Sequence, residues 1–230
     1  KNKVAIIKPH ILNYSKKKYF EYAGAAGGFL DKYGYPFCRG RILNVVEKDN
    51  GQYNNTSEVF WASGACFLIR KKVFWNLGGF DIDFFAHQEE IDLCWRAINE
   101  GHKILAVGSS KVYHIGGGTL PSSPKKTYLN HRNSLFMLNK NLPINKKVST
   151  IITRLVLDGF IGIYYLLTLQ LSKTLAVMRA HYSFYKNFKI ITSKRKKRVL
   201  NSKYYLRKSI FFDYFIRRKL YFSDLTKKIE

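Results

Sequence analysis

Acidic residues, cysteines and prolines are all scarce in this sequence, and their scarcity limits the kinds of protein that it can encode. Only 15 acidic residues stand against 40 basic ones, and there are 3 cysteines and 5 prolines among 230 residues. The cysteines are odd in number, widely separated and never in a C-x-x-C pair. That pattern argues against a disulfide scaffold and indicates reduced thiols in a cytosolic setting.

Long uncharged runs are also missing. Between Asp158 and Lys173 the uncharged stretch Gly159–Ser172 has 14 residues, short of the roughly 20 that a membrane-spanning helix needs. We therefore expect a buried helix or an interfacial amphipathic helix in this region, and not a span.

What the chain does contain is apolar, aromatic and basic. Hydrophobic residues make up 46% and aromatic residues 16% of the chain, which is enough for a globular core. The net charge of +25 is uneven, because residues 1–120 carry 16 Lys/Arg against 11 Asp/Glu, whereas residues 121–230 carry 24 against 4. A fold does not require this asymmetry, so it indicates an anionic partner for the second half.

Local patterns predict an α/β first part and a helical second part. Apolar residues recur at helical spacing over residues 88–100, and Gly101 can end that helix. Residues 13–57 lack periodicity and predict a long surface excursion with short strands. We place the boundary between residues 1–145 and a basic, aromatic tail over residues 146–230. Short strand-like runs are predicted at Val4–Ile7, Val59–Trp61, Cys66–Ile69, Lys103–Val107 and Lys111–His114.

Five of the 15 acidic residues lie between Asp81 and Asp92, at the start of the predicted helix. One interpretation is helix capping, since carboxylates in a first turn complement the helix dipole by roughly 0.3–1 kcal/mol each. The other interpretation assigns chemistry to the adjacent pair Glu89 and Glu90, which point in different directions. One carboxylate can face a cleft as a general base while the dipole keeps it ionised.

Four blocks follow one another in a characteristic order and spacing. They are Ser63-Gly64-Ala65-Cys66-Phe67-Leu68-Ile69-Arg70, Gly78-Gly79-Phe80-Asp81, Phe84-Phe85-x-x-x-Glu89-Glu90-x-Asp92-Leu93-Cys94-Trp95-Arg96 and Val112-Tyr113-His114. In order and spacing they resemble the family 2 glycosyltransferases, and within these the rhamnosyltransferase-like enzymes of bacterial surface-polysaccharide assembly. The resemblance covers residues 1 to about 185 and implies a GT-A-type (Rossmann-like) α/β fold followed by a helical tail.

The resemblance implies an inverting transfer of a sugar from a nucleotide-sugar donor to a glycan or lipid-linked acceptor. Glu90 matches the family's catalytic base, which is usually an Asp, so the side chain here is one methylene longer. Glu89 and Asp92 match the flanking acidic positions, which orient the acceptor or the helix. Arg96 lies one helical turn beyond Asp92 and is expected to pair with the acidic cluster.

Glycines are expected to shape the acceptor cleft. Gly64 and Ala65 in the first block, and Gly79 in the second, are the small residues that we predict to lie against the substrate. Residues 116–119, Gly-Gly-Gly-Thr, are interpreted either as a loop over the diphosphate or as a plain turn.

The resemblance also implies a divalent cation, Mg²⁺ or Mn²⁺, on the donor diphosphate, with His114 as a ligand. A lone histidine at a strand end more often has a structural role, and only the family resemblance makes His114 a candidate metal ligand. Such a cation neutralises the charge that develops on the leaving diphosphate. The Asp-x-Asp at Asp81 and Asp83 lies in the second block and is not the family's metal motif.

The family's metal-binding Asp-x-Asp and its nucleotide-binding βαβ units would precede Lys1. We therefore expect residues 1–145 to be the acceptor-side part of a GT-A catalytic domain that lacks its N-terminal nucleotide-binding units. On that expectation the 230-residue chain alone binds donor poorly and is inactive or nearly so, although the enzyme is a hexosyltransferase-type glycosyltransferase.

The basic tail predicts contact with an anionic membrane surface, on the inner face of the plasma membrane of a cytoplasmic protein. A lipid-linked acceptor would require an active site near the interface. Two alternatives remain open. One is a non-catalytic module that binds an anionic membrane, and the other is a nucleic-acid-binding module that uses Lys194–Arg198. Nucleic acid is the less expected partner, because no zinc, RNA-recognition or helix-turn-helix signature accompanies the charge run.

Overall fold

A computed structural model of the chain describes residues 3–116, 123–196 and 203–226. Its main sheet has four strands, β1 (Val4–Asn13), β6 (Ser57–Val59), β7 (Leu68–Ile69) and β8 (Lys103–His114). Their order in the sheet is β6-β8-β1-β7. The central pair is parallel, with Ile6 opposite Ile104 and Leu12 opposite Tyr113.

Both central strands are longer than their local patterns predict. β1 continues through Pro9, which has no N–H to donate, and the register with β8 shifts between Pro9 and His10. The two runs predicted at residues 103–107 and 111–114 form one strand of 12 residues. Residues 108–110, which separate the two predicted runs, are therefore part of the strand, and the register shift accommodates them.

A second, antiparallel sheet is built from the segment predicted as a surface excursion. The short strands are confirmed, but the surface location was wrong, because Phe20, Leu30, Phe37 and Ile42 are fully buried. Glycine allows this compact path, since a Cβ on Gly28 would overlap the Trp61 ring at 1.9 Å. The strands are β2 (Gly28–Leu30), β3 (Pro36–Cys38), β4 (Arg41–Ile42) and β5 (Val45–Val46).

Helices cover the main sheet and continue beyond it. The helix predicted over residues 88–100 is observed at Glu89–Asn99 and packs on β8. The long apolar segment breaks at Thr168–Gln170 into two antiparallel helices, with Thr174 Oγ1 donating to the carbonyl of Gly162 at 3.2 Å. The helices are α1 (Lys71–Asn76), α2 (Glu89–Asn99), α3 (Pro124–Asn141), α4 (Ile144–Leu167), α5 (Leu171–Ser193) and α6 (Phe222–Thr226).

One core joins the two predicted parts of the chain. Ile151, Phe184 and Tyr204 belong to the same buried cluster as the strand residues of the main sheet. The Tyr204 ring stacks on Trp95 of α2 at a centroid distance of 5.0 Å. The predicted boundary at 145/146 falls beside the start of α4, but it does not separate two cores. The architecture confirms the predicted α/β class with a C-terminal helical part.

Candidate active site

The first turn of α2 follows a strained loop. Phe85, His87 and Gln88 all have positive φ, at 63°, 69° and 71°, a region that non-glycine residues seldom occupy. Gln88 is the residue before the helix and makes no side-chain capping hydrogen bond. Strain of this kind persists only where surrounding contacts impose it, and it is concentrated at functional sites.

Two adjacent residues of α3 hold this loop in place. The Asn133 amide nitrogen lies 2.9, 2.8 and 2.7 Å from the carbonyl oxygens of Phe84, Ala86 and His87. Arg132 donates from Nη2 to the carbonyls of Asp83 and Phe84 at 2.9 and 3.0 Å. Sequence reasoning missed both side chains. The sequence held no distinct signal for them, because α3 also buries other polar residues such as His131, Ser134 and Asn139.

The Glu90 side chain projects from this first turn beside Gly64, a small and exposed residue. Gly64 and Ala65 are exposed, and a Cβ placed on Gly64 would lie 3.9 Å from Cγ and Cδ of Glu90. Oε2 of Glu90 is buried and has no hydrogen-bond partner. Gly64 of the first block therefore lies beside Glu90 of the third. Their roles at a substrate stay a prediction.

The protonation of Glu90 differs from the expectation. Burial, followed by the neighbouring charge of Glu89, raises the pKa of Glu90 to about 8, although N–H groups of the first helical turn lower it. The helix dipole was expected to keep this carboxylate ionised, and desolvation outweighs it. Burial also raises the pKa of Glu89, whose Oε2 likewise has no partner. Burial thus favours the protonated form of both adjacent carboxyl groups.

Asp92 does not face a cleft, which corrects its prediction as a substrate-binding residue. Its side chain is fully buried and bonded on both oxygens. Oδ2 accepts from Arg96 Nε at 2.8 Å and from Lys140 Nζ at 2.9 Å, and Oδ1 accepts from Asn141 Nδ2 at 2.8 Å. Asp92 therefore fixes α2 to α3, so of its two implied roles the structure supports orientation of the helix.

Arg96 pairs with Asp92 as its spacing predicts, and its other nitrogens bind the glycine turn. Nη1 donates to the carbonyl of Leu77 at 2.7 Å, and Nη2 donates to that of Gly79 at 2.8 Å. Gly79 has a φ of +67° and a Cβ there would lie 3.3 Å from Phe74. Arg96 and Gly79 therefore connect α2 to the glycine turn, and the polar groups that do so are already hydrogen-bonded within the protein.

The Asp-x-Asp of the second block is likewise engaged by lysines. Lys194 Nζ lies 2.6 Å from Asp81 and 2.7 Å from Asp83, and Lys140 Nζ lies 2.6 Å from Asp81. Burial would raise the pKa of Asp81, but hydrogen bonds from Lys140 and Lys194 lower it to about 2. These carboxylates are occupied by cations of the chain, in keeping with their exclusion as the metal motif.

His114 ends β8 beside a carboxylate that sequence reasoning missed. Its Nδ1 lies 3.5 Å from Oε2 of Glu21, whose side chain is almost fully buried. Within the ranges that the structure describes, no group of three His, Cys, Asp or Glu side chains is placed to hold a metal. His114 and Glu21 can supply at most two ligands. Of the predicted diphosphate loop, residues 117–119 lie outside the described residues.

The comparisons with known proteins agree with the ordered sequence blocks. Residues 10–115 match the family described as "Glycosyltransferase like family 2". A curated "N-acetylglucosaminyl-diphospho-decaprenol L-rhamnosyltransferase" from two strains of Mycobacterium tuberculosis, CDC 1551 / Oshkosh and ATCC 25618 / H37Rv, is 32% identical over 79 residues. That alignment covers 34% of this chain and 26% of the relative.

A solved structure, GalNAc-T7 with UDP, GalNAc and Mn²⁺, is also similar to this chain. The TM-score is 0.41 at 18% identity, over 59% of this chain and 26% of that one. The chain thus spans about a quarter of each protein with which it is compared.

Proposed function

Residues 10–115 belong to the glycosyltransferase-like family 2, and from this premise we propose that the protein takes part in an inverting transfer of a sugar to a glycan acceptor. The observation that carries the proposal is the position of Glu90. Glu90 is only half-buried and lies beside the exposed residue Gly64, although its unpartnered Oε2 is buried. An acceptor hydroxyl could approach the carboxyl group from the Gly64 side.

Glu90 would act as the general base. In its ionised form it takes the proton of an acceptor hydroxyl, while the hydroxyl oxygen attacks the anomeric carbon of the donor from the opposite face. The bond from that carbon to the diphosphate breaks, and the nucleoside diphosphate leaves. Because burial raises the pKa of Glu90 to about 8, its ionised form is a stronger base than an exposed carboxylate. That value also lies near the working pH, where a general base is most effective.

A divalent cation, Mg²⁺ or Mn²⁺, would neutralise the leaving diphosphate when it is bound. Such ions take much of their coordination from substrate phosphates and need few protein ligands. His114 could supply one ligand, and Glu21 lies 3.5 Å from its Nδ1, close enough to orient the imidazole after a small shift. Metal-binding histidines are commonly oriented by a carboxylate in this way.

The substrates follow from the curated relative as a proposal. That relative's name specifies an L-rhamnosyl group and a diphospho-decaprenol-linked N-acetylglucosamine acceptor. We propose a nucleotide-sugar donor and a lipid-linked glycan acceptor for this protein, with the enzyme at the inner face of the plasma membrane. The strongly basic second half of the chain supports the membrane location.

The test is sugar transfer by the longest natural form of the protein that contains this chain, before and after Glu90→Gln. A panel of nucleotide sugars that includes an activated L-rhamnose is offered with a polyprenyl-diphosphate-linked acceptor. We expect kcat to fall by about 10²–10⁴-fold, the usual contribution of a general base. Glu58→Gln, which alters an exposed ion pair with Lys103, is the control and should leave kcat unchanged. Unchanged transfer by the Glu90 variant would remove Glu90 from the mechanism.

A further inference from the structure

The outward surface of the helical hairpin α4–α5 is apolar along most of its length. Within α4, all of which the structure describes, apolar side chains are exposed at successive three- and four-residue intervals. The surface continues through the connecting turn, where Leu169 is 86% exposed, and onto α5. The α4 residues that form this surface are Val148, Ile152, Val156, Phe160, Ile163 and Leu167.

The α5 part of the surface has the same spacing and a basic border. Leu171, Leu175, Met178, Tyr182 and Tyr185 are all at least half exposed. Scattered exposed apolar residues are normal, but a contiguous surface of this length marks an interaction site. Because the apolar positions repeat every three or four residues, they form one stripe. Exposed basic residues follow toward the C-terminal half of α5, at Arg179, Lys186 and Lys189.

The charged side chains of α4 are buried or half-buried. Lys146, half-buried in the first turn, lies over the Tyr205 ring, and Lys147 is buried. The two ionisable residues of the central turns, Arg154 and Asp158, are buried and paired at 2.9 Å. His131 of α3 adds a contact to Asp158 at 3.0 Å, and Tyr35 adds another at 2.9 Å. The charges of α4 are therefore directed into the protein, and the outward surface is left without any.

α4 is also the one helix of the described ranges that is long and apolar enough to cross a membrane, by length and composition. The contacts that α4 makes with the rest of the protein argue against a membrane crossing. Arg154 donates to the backbone carbonyl of Tyr33 at 3.0 Å, and Leu157 and Ile161 pack on the cluster around Phe37 and Phe222. A helix held to the globular part along one side can present only its other side to lipid.

We propose that the α4–α5 hairpin lies in one leaflet of an anionic bilayer, with its apolar surface immersed and its basic border at the headgroups. This deepens the membrane location of the proposed function, but the sugar-transfer chemistry does not enter its test. An in-plane amphipathic hairpin of this kind binds by buried apolar area together with attraction to anionic lipid. It would hold the protein against the surface in which a lipid-linked acceptor is embedded.

Charge complementarity favours a lipid leaflet over a second copy of the chain as the occupant. The second half of the sequence carries 24 basic and 4 acidic residues, so two copies that meet at this hairpin would repel one another. An anionic leaflet attracts the same charges, by about 1 kcal/mol for each Lys or Arg near its surface. The aromatic rings at Tyr164, Tyr182 and Tyr185 suit the boundary between headgroups and acyl chains.

The experiment measures binding of the chain to vesicles of phosphatidylglycerol and phosphatidylethanolamine by co-sedimentation. Leu167→Asp is compared with Leu68→Asp, because both leucines are exposed, at 77% and 68%, and only Leu167 lies on the hairpin. We expect Leu167→Asp to weaken binding about tenfold or more, and Leu68→Asp to leave it unchanged. Part of the wild-type binding should remain at roughly 1 M salt, where the Debye length is only about 3 Å.

Depth is measured separately with tryptophans introduced as Phe160→Trp and Leu68→Trp, each judged by the change in quenching relative to the wild type, which has three tryptophans. Acyl-chain-brominated lipid should quench the tryptophan at position 160 and not the one at position 68. Equal binding by the two aspartate variants would overturn the proposal, as would equal quenching of the two tryptophans. So would a wild-type dimer in lipid-free buffer that Leu167→Asp converts to monomer without any loss of vesicle binding. Loss of sugar transfer in Glu90→Gln with normal vesicle binding would leave this inference standing.

Discussion

Glu90 is subject to two opposing effects at the start of α2. The helix terminus favours a negative charge by up to about 1 kcal/mol at exposed sites. Removal from water opposes it, and the adjacent carboxyl of Glu89 adds to that opposition. The result is a raised pKa, and this residue is therefore expected to make the folded state less stable in its ionised form.

This balance predicts a pH-dependent stability. Between its ordinary value of 4.5 and about 8, Glu90 keeps its proton in the folded state and loses it in the unfolded state. Stability then falls as pH rises, because the unfolded state binds fewer protons. Glu90→Gln cannot titrate, so the variant should gain free energy of unfolding relative to the wild type across this window. Urea unfolding at a series of pH values, followed by tryptophan fluorescence, measures the difference.

Glu58→Gln is the matched control, since Glu58 is exposed in an ion pair with Lys103. Its unfolding curve should follow the wild type at every pH to within about 0.5 kcal/mol. Parallel pH curves for Glu90→Gln and the wild type would contradict the buried, protonated state of Glu90.

At the scale of elements, α3 imposes the loop that places Glu90. Asn133→Ala removes the one amide that serves the carbonyls of Phe84, Ala86 and His87. Unpartnered buried polar groups cost about 1–3 kcal/mol, so we expect a loss of that size in urea unfolding. We also expect lower sugar transfer, because the strained residues before α2 would relax. Asn187→Ala, which removes a donor to the carbonyl of Ser183 within α5, is the control and should have the smaller effect on both.

A buried cluster around Asp158 joins α3, α4 and α5. Burial would raise the pKa of Asp158, but Arg154, His131 and His181 hold it well below its usual range. Asp158→Asn leaves the Arg154 guanidinium buried without its counter-charge, a change that typically costs about 3–5 kcal/mol. Urea unfolding should show this loss at neutral pH.

The same cluster predicts the direction of acid unfolding. The contribution of Asp158 is complete above the unfolded pKa of about 3.9 and is lost as pH falls toward the depressed folded value. The stability gap between wild type and Asp158→Asn should therefore narrow below about pH 4. A gap that is constant through that range would show that the carboxylate charge is not what stabilises the cluster.

At the scale of the whole molecule, the C-terminal residues are part of the fold. Asp31 accepts from the backbone N–H of Ile210 at 3.0 Å. The Phe222 ring stacks on Phe29 at 5.5 Å and meets Tyr53 edge-on at 6.0 Å. The last part of the segment predicted as a membrane-associating tail thus completes the core over the small sheet.

Phe222→Ala tests whether the C-terminal residues stabilise the core. Truncation of a buried phenylalanine costs about 3–5 kcal/mol, and Phe222 is only 6% exposed. Tyr221→Ala, at the neighbouring and 48% exposed position, should cost within about 0.5 kcal/mol. Thermal and urea unfolding of the two variants give the comparison. Equal stability would mean that residues 203–226 are not part of the cooperative unit.

The sequence by itself determined the features that depend on spacing along the chain. The period of apolar residues predicted α2 almost to its ends, and the four-residue interval predicted the pairing of Asp92 with Arg96. Both follow from local geometry, because residues three or four apart on a helix are neighbours in any fold. The family was indicated differently, by the resemblance of four ordered blocks to known enzymes.

Only the tertiary structure decided which of those residues lose contact with water. Burial of Asp92 depends on Lys140 and Asn141, which lie 48 and 49 residues away. The Glu90 pKa, the Asn133 support and the packing of Phe222 likewise depend on contacts between distant segments. Which apolar residues of α4 are exposed likewise depends on which of its sides packs against the rest of the protein. Desolvation is set by everything that surrounds a group, and spacing along the chain does not contain that information.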